Sequence, residues 1–558
     1  MISDKPSVQL LIKTLKERNI SEIVISPGAR NAPLIISFAS DSFFNCINVV
    51  DERSAAFIAL GISQKKNIPV VICCTSGSAP LNYSPAIAEA FYSKTPLIVV
   101  SADRPSEWID QRDNQTIKQL GVFTNFVRAE MNLEENLSDY NSFWHMHRLL
   151  SDTLNKALYI NPGPVHINCP FSEPVYNQKA ETDIPEFPYT RVFEASHELS
   201  LEQVEQVGGV VNDCDRILIL IGRGNYPKEL EKTLDQFVAR HNGVVILNEG
   251  LNNLQLCSGI DQIDLMITKV QDDHLEEFAP KLLITIGDII VSKNIKKFLR
   301  QNKPQFHWRI DPCGELVDTY QRLDNLFCMN ALEFFDSILP LCGFDDSNYQ
   351  NLWTELSAQC KSRFLKTCQS ISWSDFAAMN ILLMQIPEHT DLHLGNSSIV
   401  RNALLFENIQ RLKFSSNRGT SGIDGSLSTA VGIALSTTEI VTIIVGDLSF
   451  LYDSNALWIN SLPKNLKIVV INNFGGNIFK FISGPETTDQ YNEYFISEHK
   501  IKVAPIAEAY GVKTFKASNQ HELLIVLQEF YQYDKSCTLL EINTANIDNG
   551  KIWREAIK

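Results

Sequence analysis

Short apolar runs recur along the whole chain and alternate with segments of helical periodicity. The runs lie at 22–25, 70–73, 97–100, 217–221, 244–247, 282–286, 440–445 and 468–471. Their apolar residues follow one another directly instead of alternating with polar ones, which is typical of strands covered on both faces. Parallel strands joined by crossover helices have this property. The pattern therefore predicts an α/β protein built from parallel sheets flanked by helices.

Two polar segments divide this pattern into three parts. Residues 176–191 are polar and contain two prolines, and residues 343–349 are acidic and polar. Segments of this composition commonly link domains, and each part between them has the length of one α/β domain. We predict an N-terminal domain at 1–180, a central α/β domain at 190–342 and a third domain at 350–558.

The first and third parts resemble each other at one constant shift. The shift that places Ser26 on Ser397 also places Gly61 on Gly432, and it keeps the apolar runs of both parts in register. Chance explains any single identity, but it does not readily explain a register kept over this length. We therefore predict that the two parts are copies of one α/β fold.

Equivalent positions of the two copies carry different chemistry. The same shift places Glu52 on Ile423 and Ser76 on Asp447. Ligands of open parallel sheets bind beyond the carboxyl ends of the strands. Two such copies that face each other can therefore hold opposite ends of one long cofactor.

Polar residues follow two neighbouring predicted strands of the third part. Asp447 comes directly after the run at 440–445, and Asn473 follows the run at 468–471. In a βαβ unit, both lie at the same edge of the sheet. A carboxylate, an amide oxygen and a backbone carbonyl suit Mg²⁺, and the glycines at 475–476 let the backbone approach a phosphate. We predict a metal and diphosphate site here; a polar turn with a capping Asp is the alternative.

Glu52 lies in the small and apolar stretch 49–57. One interpretation makes it a first-turn Glu at a helix N-terminus, with Asp51 as the cap. The other makes it a buried carboxyl whose raised pKa lets it share a proton with a heterocyclic nitrogen. The local sequence leaves both interpretations open.

Charge and composition exclude some kinds of binding partner and indicate a location in the cell. The net charge of −16 argues against nucleic acid and against an anionic membrane surface. Twelve cysteines without C-x-x-C spacing indicate reduced thiols. The chain starts without a signal-peptide core and has no stretch of 18 apolar residues. We expect a cytoplasmic protein that neither inserts into a membrane nor binds nucleic acid.

Several motifs together resemble one known family. In chain order they are S-P-G-A-R-N-A-P-L (26–34), D-E-R (51–53), T-S-G-S-A (75–79), A-D-R-P (102–105), N-Q (114–115), G-N-S (395–397), S-N-R-G-T-S-G-I-D-G (416–425), G-D-L-S (446–449) and N-N-F-G-G (472–476). The series resembles the thiamine-diphosphate-dependent 2-succinyl-5-enolpyruvyl-6-hydroxy-3-cyclohexene-1-carboxylate (SEPHCHC) synthases of menaquinone biosynthesis. The block at 416–425 is the specific motif. The central part matches only in its α/β character.

The resemblance implies how the cofactor is held. Glu52 is the implied catalytic residue, bonded to the aminopyrimidine ring, and Ile423 is implied to support the bent cofactor from below. Asp447, Asn473 and the carbonyl of Gly475 are the implied ligands of Mg²⁺, with Mn²⁺ as a substitute. The implied cofactor-binding residues are Glu52, Thr75, Ser421, Gly422, Ile423, Gly446, Asp447, Leu448, Ser449, Asn473, Gly475, Gly476 and Asn477.

The resemblance also implies a reaction: decarboxylation of 2-oxoglutarate and 1,4-addition of the resulting succinyl carbanion to isochorismate, catalysed by a transferase of the carboligase type. Both substrates are dianions, and the planar guanidinium of Arg suits carboxylates. The implied substrate-binding residues are Arg30, Arg104, Asn114, Gln115, Lys293, Ser397, Arg401, Arg418, Ile478 and Phe479. Lys293 lies in the central part, where the resemblance is weakest.

The chain departs from the family at Ala29, where a Ser is usual, so one hydroxyl near Arg30 is missing. The family implies a homodimer or homotetramer with its sites at the subunit interface. Two alternatives remain: another thiamine-diphosphate 2-oxo acid decarboxylase or carboligase of the acetolactate-synthase type, and a non-catalytic cofactor-binding homologue. The presence of Glu52, Asp447 and Asn473 argues against the second alternative.

Overall fold

The fold was derived from a computed structural model, which describes residues 1–180, 184–195, 197–270, 275–343, 346–408, 411–482, 484–545 and 547–557. Parts of both predicted linkers, 181–183 and 344–345, lie outside the described residues. The described chain contains three six-stranded sheets, all of whose strand pairs are parallel. The predicted α/β class is confirmed. Among the described residues, no helix combines the length and the apolar character that crossing a membrane requires.

The N-terminal third of the chain contains the first sheet. Its elements are β1 (Ile2–Ser3), α1 (Pro6–Glu17), β2 (Glu22–Ile25), α2 (Ala32–Ala39), β3 (Asn45–Asn48), α3 (Glu52–Lys66), β4 (Val70–Cys74), α4 (Ala79–Asn82), α5 (Ser84–Tyr92), β5 (Leu97–Asp103), β6 (Ala129–Asn132), α6 (Tyr140–Leu158), β7 (Val165–Pro170) and β8 (Gln178–Lys179). The strand order is β3-β2-β4-β5-β7-β6, and β1 pairs antiparallel with β8 outside this sheet. Strands β4 and β5 are fully buried, because helices cover both faces.

The middle of the chain contains the second sheet. Its elements are α7 (Leu201–Asp213), β9 (Ile217–Ile221), α8 (Glu229–Arg240), β10 (Val244–Asn248), β11 (Gly259–Ile260), α9 (Ile263–Val270), α10 (Leu275–Phe278), β12 (Leu282–Ile286), α11 (Lys293–Gln301), β13 (Phe306–Ile310), β14 (Asn325–Phe327) and α12 (Ala331–Ile338). The strand order is β11-β10-β9-β12-β13-β14, a doubly wound arrangement whose direction changes between β9 and β12.

The C-terminal part of the chain contains the third sheet. Its elements are α13 (Tyr349–Ser370), α14 (Asp375–Gln385), β15 (Asp391–Leu394), α15 (Ser398–Ala403), β16 (Lys413–Ser415), α16 (Ser426–Leu435), β17 (Val441–Gly446), α17 (Asp447–Tyr452), β18 (Leu466–Asn472), α18 (Ala504–Ala509), β19 (Lys513–Ala517), α19 (Gln520–Gln532), β20 (Thr538–Asn543) and α20 (Asn549–Ile557). The strand order is β16-β15-β17-β18-β20-β19. Helix α13 packs its buried Trp353 into the core of the second sheet.

The first and third sheets are copies of one topology. When the six strands of each sheet are numbered in chain order, both sheets have the spatial order 2-1-3-4-6-5. The predicted shift is also kept in detail, because β4 begins at Val70 and β17 begins at Val441. The prediction of two similar folds is confirmed.

Helices α3 and α16 join the two copies, and their side chains belong to one hydrophobic core. A Cβ atom on Gly61 would lie 2.0 Å from the carbonyl oxygen of Thr429, and one on Gly432 would lie 2.0 Å from that of Ile58. The two contacts are equivalent under the internal repeat. Only glycine permits this approach of the two helix backbones, since any larger side chain would displace a main-chain atom.

Candidate functional site

Asp447 and Asn473 follow two adjacent strands of the third sheet. Strands β17 and β18 are paired in parallel, so both residues lie at the same edge, as the sequence predicts. Asp447 is buried; its Oδ1 accepts a hydrogen bond from the Leu448 N–H at 2.7 Å, and its Oδ2 accepts one from the Gly475 N–H at 3.0 Å. The structure therefore brings the three implied metal ligands, Asp447, Asn473 and Gly475, together.

Unpaired oxygen atoms at this edge fit a hard cation. Asn473 Oδ1 and Asn477 Oδ1 are buried, and neither has a hydrogen-bond partner among the described residues. Gly475 has a φ of +154°, a conformation that side chains disfavour. No group of three or more His, Cys, Asp or Glu side chains that could hold a metal occurs in the described chain. A mixed set of carboxylate, amide and carbonyl oxygens, completed by phosphate and water, fits Mg²⁺ here.

Two residues beside this edge were not anticipated from the sequence. The Asn473 Nδ2 donates a hydrogen bond to Asp375 Oδ2 at 2.6 Å, and His499 Nε2 lies 3.3 Å from Asp447 Oδ2. Burial raises the pKa of Asp375 to about 6. Neither residue belongs to a motif, and both are distant in sequence from Asp447, so only the fold reveals them.

The specific block at 416–425 lies against the same edge. Ser449 Oγ donates a hydrogen bond to the Ile423 carbonyl at 2.9 Å, which joins the block to α17. Asn396 Nδ2 donates to the Gly422 carbonyl at 2.6 Å. Ser421 has a φ of +63°, so the block turns sharply before Gly422. The implied cofactor-binding residues of the third part thus lie at neighbouring strand ends.

Glu52 is the first residue of α3, and Asp51 caps this helix by accepting a hydrogen bond from the Ser54 N–H at 3.0 Å. Glu52 is also half-buried, and burial raises its pKa. Glu52 is therefore a first-turn residue and also a partly buried carboxyl, and its sharing of a proton with a heterocyclic nitrogen stays a prediction. Nearby, Arg53 Nη2 donates to the Tyr452 carbonyl at 2.7 Å, so the start of α3 contacts the third part of the chain.

Thr75 directly follows strand β4. Its side chain is buried, and its Oγ1 has no hydrogen-bond partner among the described residues. A Cβ atom on Gly28 would lie 2.3 Å from the Thr75 Cβ, so the motif at 26–34 packs directly on Thr75. A free hydroxyl at a strand end is available to a ligand.

Arg30 is buried and already has two partners. Its Nη1 donates to the Phe171 carbonyl at 2.9 Å, and its Nη2 lies 2.9 Å from Glu173 Oε1. Glu173 is 68% exposed, so this ion pair is a weak one that another carboxylate can replace.

Arg104 lies beside two other implied substrate ligands. Its Nη2 donates to the Asn114 carbonyl at 3.1 Å, and its Nε is buried without a partner in the described chain. The Gln115 carbonyl accepts a hydrogen bond from Ser76 Oγ at 2.9 Å. Asn114 and Gln115 are exposed. The loop at 114–115 therefore connects Arg104 with the end of β4.

A second basic cluster lies between the third and central parts. Arg418 is buried, its Nη1 donates to Asn396 Oδ1 at 2.8 Å, and its Nε has no partner among the described residues. Burial, together with the positive charge of Arg401, lowers the pKa of Arg418 to about 10. Lys296 and Arg418 line one cavity of about 240 Å³, whereas the implied Lys293 is exposed on the same helix.

Glu249 connects this cluster to the central sheet. Its carboxylate accepts hydrogen bonds from the Val291 N–H at 2.6 Å and the Ser292 N–H at 2.9 Å, and burial raises its pKa to about 7. Arg401 Nη1 donates to the Val291 carbonyl at 3.2 Å. The sequence did not predict Glu249 or Lys296, because the central part carries no specific motif.

The remaining implied residues lie in two turns. Ser397 precedes α15 with a φ of +71°, an uncommon conformation for a non-glycine residue. Ile478 and Phe479 belong to the 3₁₀ turn Asn477–Lys480 and are half-buried. The Phe479 ring lies 5.5 Å from the ring of Phe495. The binding roles of all these residues stay predictions.

Comparisons with known proteins show what the first and third parts of the chain resemble. The N-terminal TPP binding domain of thiamine pyrophosphate enzymes matches residues 7–122, and the C-terminal TPP binding domain matches residues 394–542. The fold is similar to that of a benzoylformate decarboxylase from Polynucleobacter necessarius, with a TM-score of 0.74 and 17% identity over 98% of this chain and 99% of that one. That likeness concerns the fold alone.

Curated relatives match almost the entire chain, including the central part. A 2-succinyl-5-enolpyruvyl-6-hydroxy-3-cyclohexene-1-carboxylate synthase of Flavobacterium johnsoniae is 39% identical over 99% of this chain and 98% of its own length. The synthase of that name from Bacteroides thetaiotaomicron is 35% identical over 100% and 99%. This protein therefore belongs to the family of SEPHCHC synthases, which are thiamine-diphosphate-dependent enzymes.

Proposed function

We propose that this enzyme decarboxylates 2-oxoglutarate and adds the succinyl group to isochorismate in a 1,4-addition, which forms SEPHCHC and CO₂ in menaquinone biosynthesis. The observation that carries the proposal is the match to relatives of that name, at 35–40% identity over 97–100% of the chain. The intact metal edge and the half-buried Glu52 support a catalytic protein.

The metal end of the site consists of Asp447, the Oδ1 of Asn473 and the carbonyl of Gly475. These residues would bind Mg²⁺, which neutralises the diphosphate and fixes its position. The buried and partnerless Asn473 Oδ1 supports this assignment, since a buried carbonyl oxygen without a partner is costly unless a ligand satisfies it. The unpaired Asn477 Oδ1 would accept a hydrogen bond from a water at the metal end.

At the other end of the site, Glu52 would exchange a proton with the cofactor. Bound thiamine diphosphate supplies a nucleophilic carbon and stabilises the negative charge that decarboxylation leaves. Glu52 would hold a proton at the aminopyrimidine nitrogen, a role that its raised pKa favours. Ile423, whose carbonyl is fixed by Ser449, would support the ring system from the opposite side.

The substrates bring carboxylates into the site, and two basic groups are available to receive them. Arg104 has a buried Nε without a partner among the described residues, besides an ion pair with Asp113. Arg30 donates to the Phe171 carbonyl and forms an ion pair with the exposed Glu173. In the second cluster, Arg401 and Arg418 lie beside Lys296, so their mutual repulsion is relieved when an anion binds. This charge distribution favours dianionic substrates over the small 2-oxo acids of acetolactate-type enzymes.

We infer a homodimer or homotetramer in which the first part of one subunit and the third part of its partner share a site. Exposed apolar side chains in the first and third parts support a buried interface, among them Val50, Leu81, Trp458 and Tyr494. All twelve cysteines are free thiols, which supports a cytoplasmic location.

The proposal is tested by incubating the enzyme with isochorismate, 2-oxoglutarate, thiamine diphosphate and Mg²⁺ while following isochorismate loss and CO₂ release. We expect equal amounts of isochorismate consumed and CO₂ released, and neither without the cofactor. A parallel reaction contains pyruvate in place of 2-oxoglutarate. Turnover of pyruvate alone, with isochorismate unchanged, would establish the acetolactate-type alternative.

A further inference from the structure

We propose that Asp375 is a positioning residue of the metal site, which turns the Asn473 side-chain amide so that its oxygen faces the cation. The inference rests on the metal site proposed above and extends it to a residue outside the implied ligands, whose carboxylate oxygens both bond to protein groups. Asp375 is 98 positions away from Asn473 in sequence, on helix α14.

Asp375 is rigidly held. It is 2% exposed, and its backbone N–H donates to Asn549 Oδ1 at 2.8 Å. Its carboxylate oxygens have separate partners: Oδ1 accepts from the Thr544 hydroxyl at 2.5 Å, and Oδ2 accepts from Asn473 Nδ2 at 2.6 Å. Thr544 is itself bonded to the end of β18 through the Asn472 carbonyl. Both carboxylate oxygens are therefore engaged, and Asp375 acts through its neighbours.

The hydrogen bond from Asn473 to Asp375 determines which end of the amide faces the site. The oxygen and nitrogen of an Asn side chain have nearly the same shape, so the local hydrogen-bond partners decide the orientation. Thr544 occupies one oxygen of the Asp375 carboxyl and the Asn473 amide NH₂ donates to the other, so the NH₂ end of Asn473 faces Asp375. The Oδ1 then points the other way, and it is the buried oxygen that lacks a partner.

The opposite orientation of the Asn473 amide is unfavourable at both of its ends. It would place the Asn473 oxygen against the Asp375 carboxylate and direct the amide NH₂ towards the cation. Outer residues that orient metal ligands typically contribute about 10–100-fold to metal affinity. We therefore expect the loss of the Asp375 acceptor to weaken metal binding by about 10–100-fold.

The test measures the dissociation constant of Mn²⁺, by electron paramagnetic resonance, for the full-length protein with a fixed excess of thiamine diphosphate. Asp375→Leu removes the acceptor at similar size and should raise this constant by about 10–100-fold. Asp375→Asn keeps an oxygen that can accept from Asn473 and should stay within about threefold of the wild type. Thr544→Val removes the other hydrogen bond of Asp375 and should lower the melting temperature without changing Mn²⁺ affinity.

A double-mutant cycle separates positioning from general damage. If Asp375 acts through Asn473, the Asp375→Leu change has no further effect on Mn²⁺ affinity once Asn473→Ala is present. An equal loss in both backgrounds would overturn the inference. An unchanged constant in Asp375→Leu would do so too, provided that Asn473→Ala weakens binding. An Asn473→Ala variant with wild-type affinity would instead overturn the proposed metal site itself.

Folding is checked by melting temperature in the absence of metal. Asp375→Leu leaves the Thr544 hydroxyl without its acceptor, which can prevent folding. The double variant Asp375→Ala with Thr544→Val removes the acceptor together with that donor and replaces Asp375→Leu in this case. It is compared with Thr544→Val alone, and we expect the same loss of affinity of about 10–100-fold.

Discussion

At the scale of single residues, the chemistry of the site depends on burial as much as on residue type. Glu52 has its raised pKa because burial at the start of α3 partly excludes solvent from its carboxyl. Arg418 and Glu249 are likewise ionisable groups whose pKa values are displaced by burial. Displaced pKa values of this kind cluster at functional sites.

Replacing Glu52 by Gln keeps the size of the side chain and removes its capacity to exchange a proton. We expect Glu52→Gln to lower kcat by at least about 100-fold, the usual contribution of a positioned acid or base, while thiamine diphosphate still binds. Turnover and cofactor affinity are measured on the same preparation. Glu439→Gln, a change at an exposed position, is the matched control. Full activity of Glu52→Gln would contradict the proposed mechanism.

The family resemblance and the structure indicate different lysines of α11 as substrate-binding residues. Lys296 lines the cavity with Arg418, whereas Lys293 is exposed. We expect Lys296→Ala to raise the KM for 2-oxoglutarate or isochorismate about tenfold, as the loss of one charge-assisted hydrogen bond does, and Lys293→Ala to change it less. Steady-state kinetics with each substrate varied in turn provide the measurement. A larger effect of Lys293→Ala would favour the role implied by the family resemblance.

At the scale of elements, the contact between α3 and α16 holds the two copies of the fold together. The glycines at 61 and 432 let the helix backbones meet, and the internal repeat makes the two contacts equivalent. The same helices begin at Glu52 and directly after the 416–425 block. Their packing therefore sets the relative positions of both chemical motifs within one chain.

Substitution of Gly61 by Ala tests this packing. The new methyl group would overlap the Thr429 carbonyl, so we expect a destabilisation of about 1–3 kcal/mol, measured as a fall in melting temperature. Gly209→Ala is the matched control, since it lies in α7, is exposed and has no atom within 4 Å of the new methyl group. That change should leave stability equal or raise it by about 0.5–1 kcal/mol. An unaffected Gly61→Ala variant would show that the helices can separate freely.

At the scale of the whole molecule, three similar sheets have different roles. The first and third carry the motifs, and the second contributes Lys296 and Glu249 to the basic cluster. The boundaries proposed for the three domains stay predictions. Helix α13 lies almost entirely inside the range predicted for the third domain, yet it packs on the second sheet. The core of the central domain therefore includes residues beyond its predicted C-terminal boundary.

Subunit sharing of the site predicts complementation between two inactive variants. Glu52→Gln and Asp447→Asn are each expected to be inactive. If one subunit supplies Glu52 and its partner supplies Asp447, a mixed dimer has one intact site of its two, so the purified mixed dimer should show about half of wild-type activity. Co-expression with two affinity tags and assay of the purified mixed dimer provides the measurement. If one chain supplied both residues, every site would keep a defect and no activity would return.

The sequence predicted much of the site through motifs that follow strand ends. Asp447, Asn473 and Gly475 were expected together because parallel neighbouring strands end at one edge, and the structure places them so. Asp375 and His499 escaped prediction because their proximity results from chain reversal over long separations. Lys296 escaped for another reason: its helix carries no motif, and only packing distinguishes it from Lys293.

By itself, the sequence determined the α/β class, the internal repeat and the family, because continuous apolar runs, constant register and ordered motifs are local or linear properties. Only the tertiary structure decided how ionisable groups are buried and oriented. The raised pKa of Glu52, the unpaired oxygen of Asn473 and the cluster around Arg418 arise from desolvation and from hydrogen bonds between distant segments. Such effects depend on three-dimensional distance, which linear spacing does not contain.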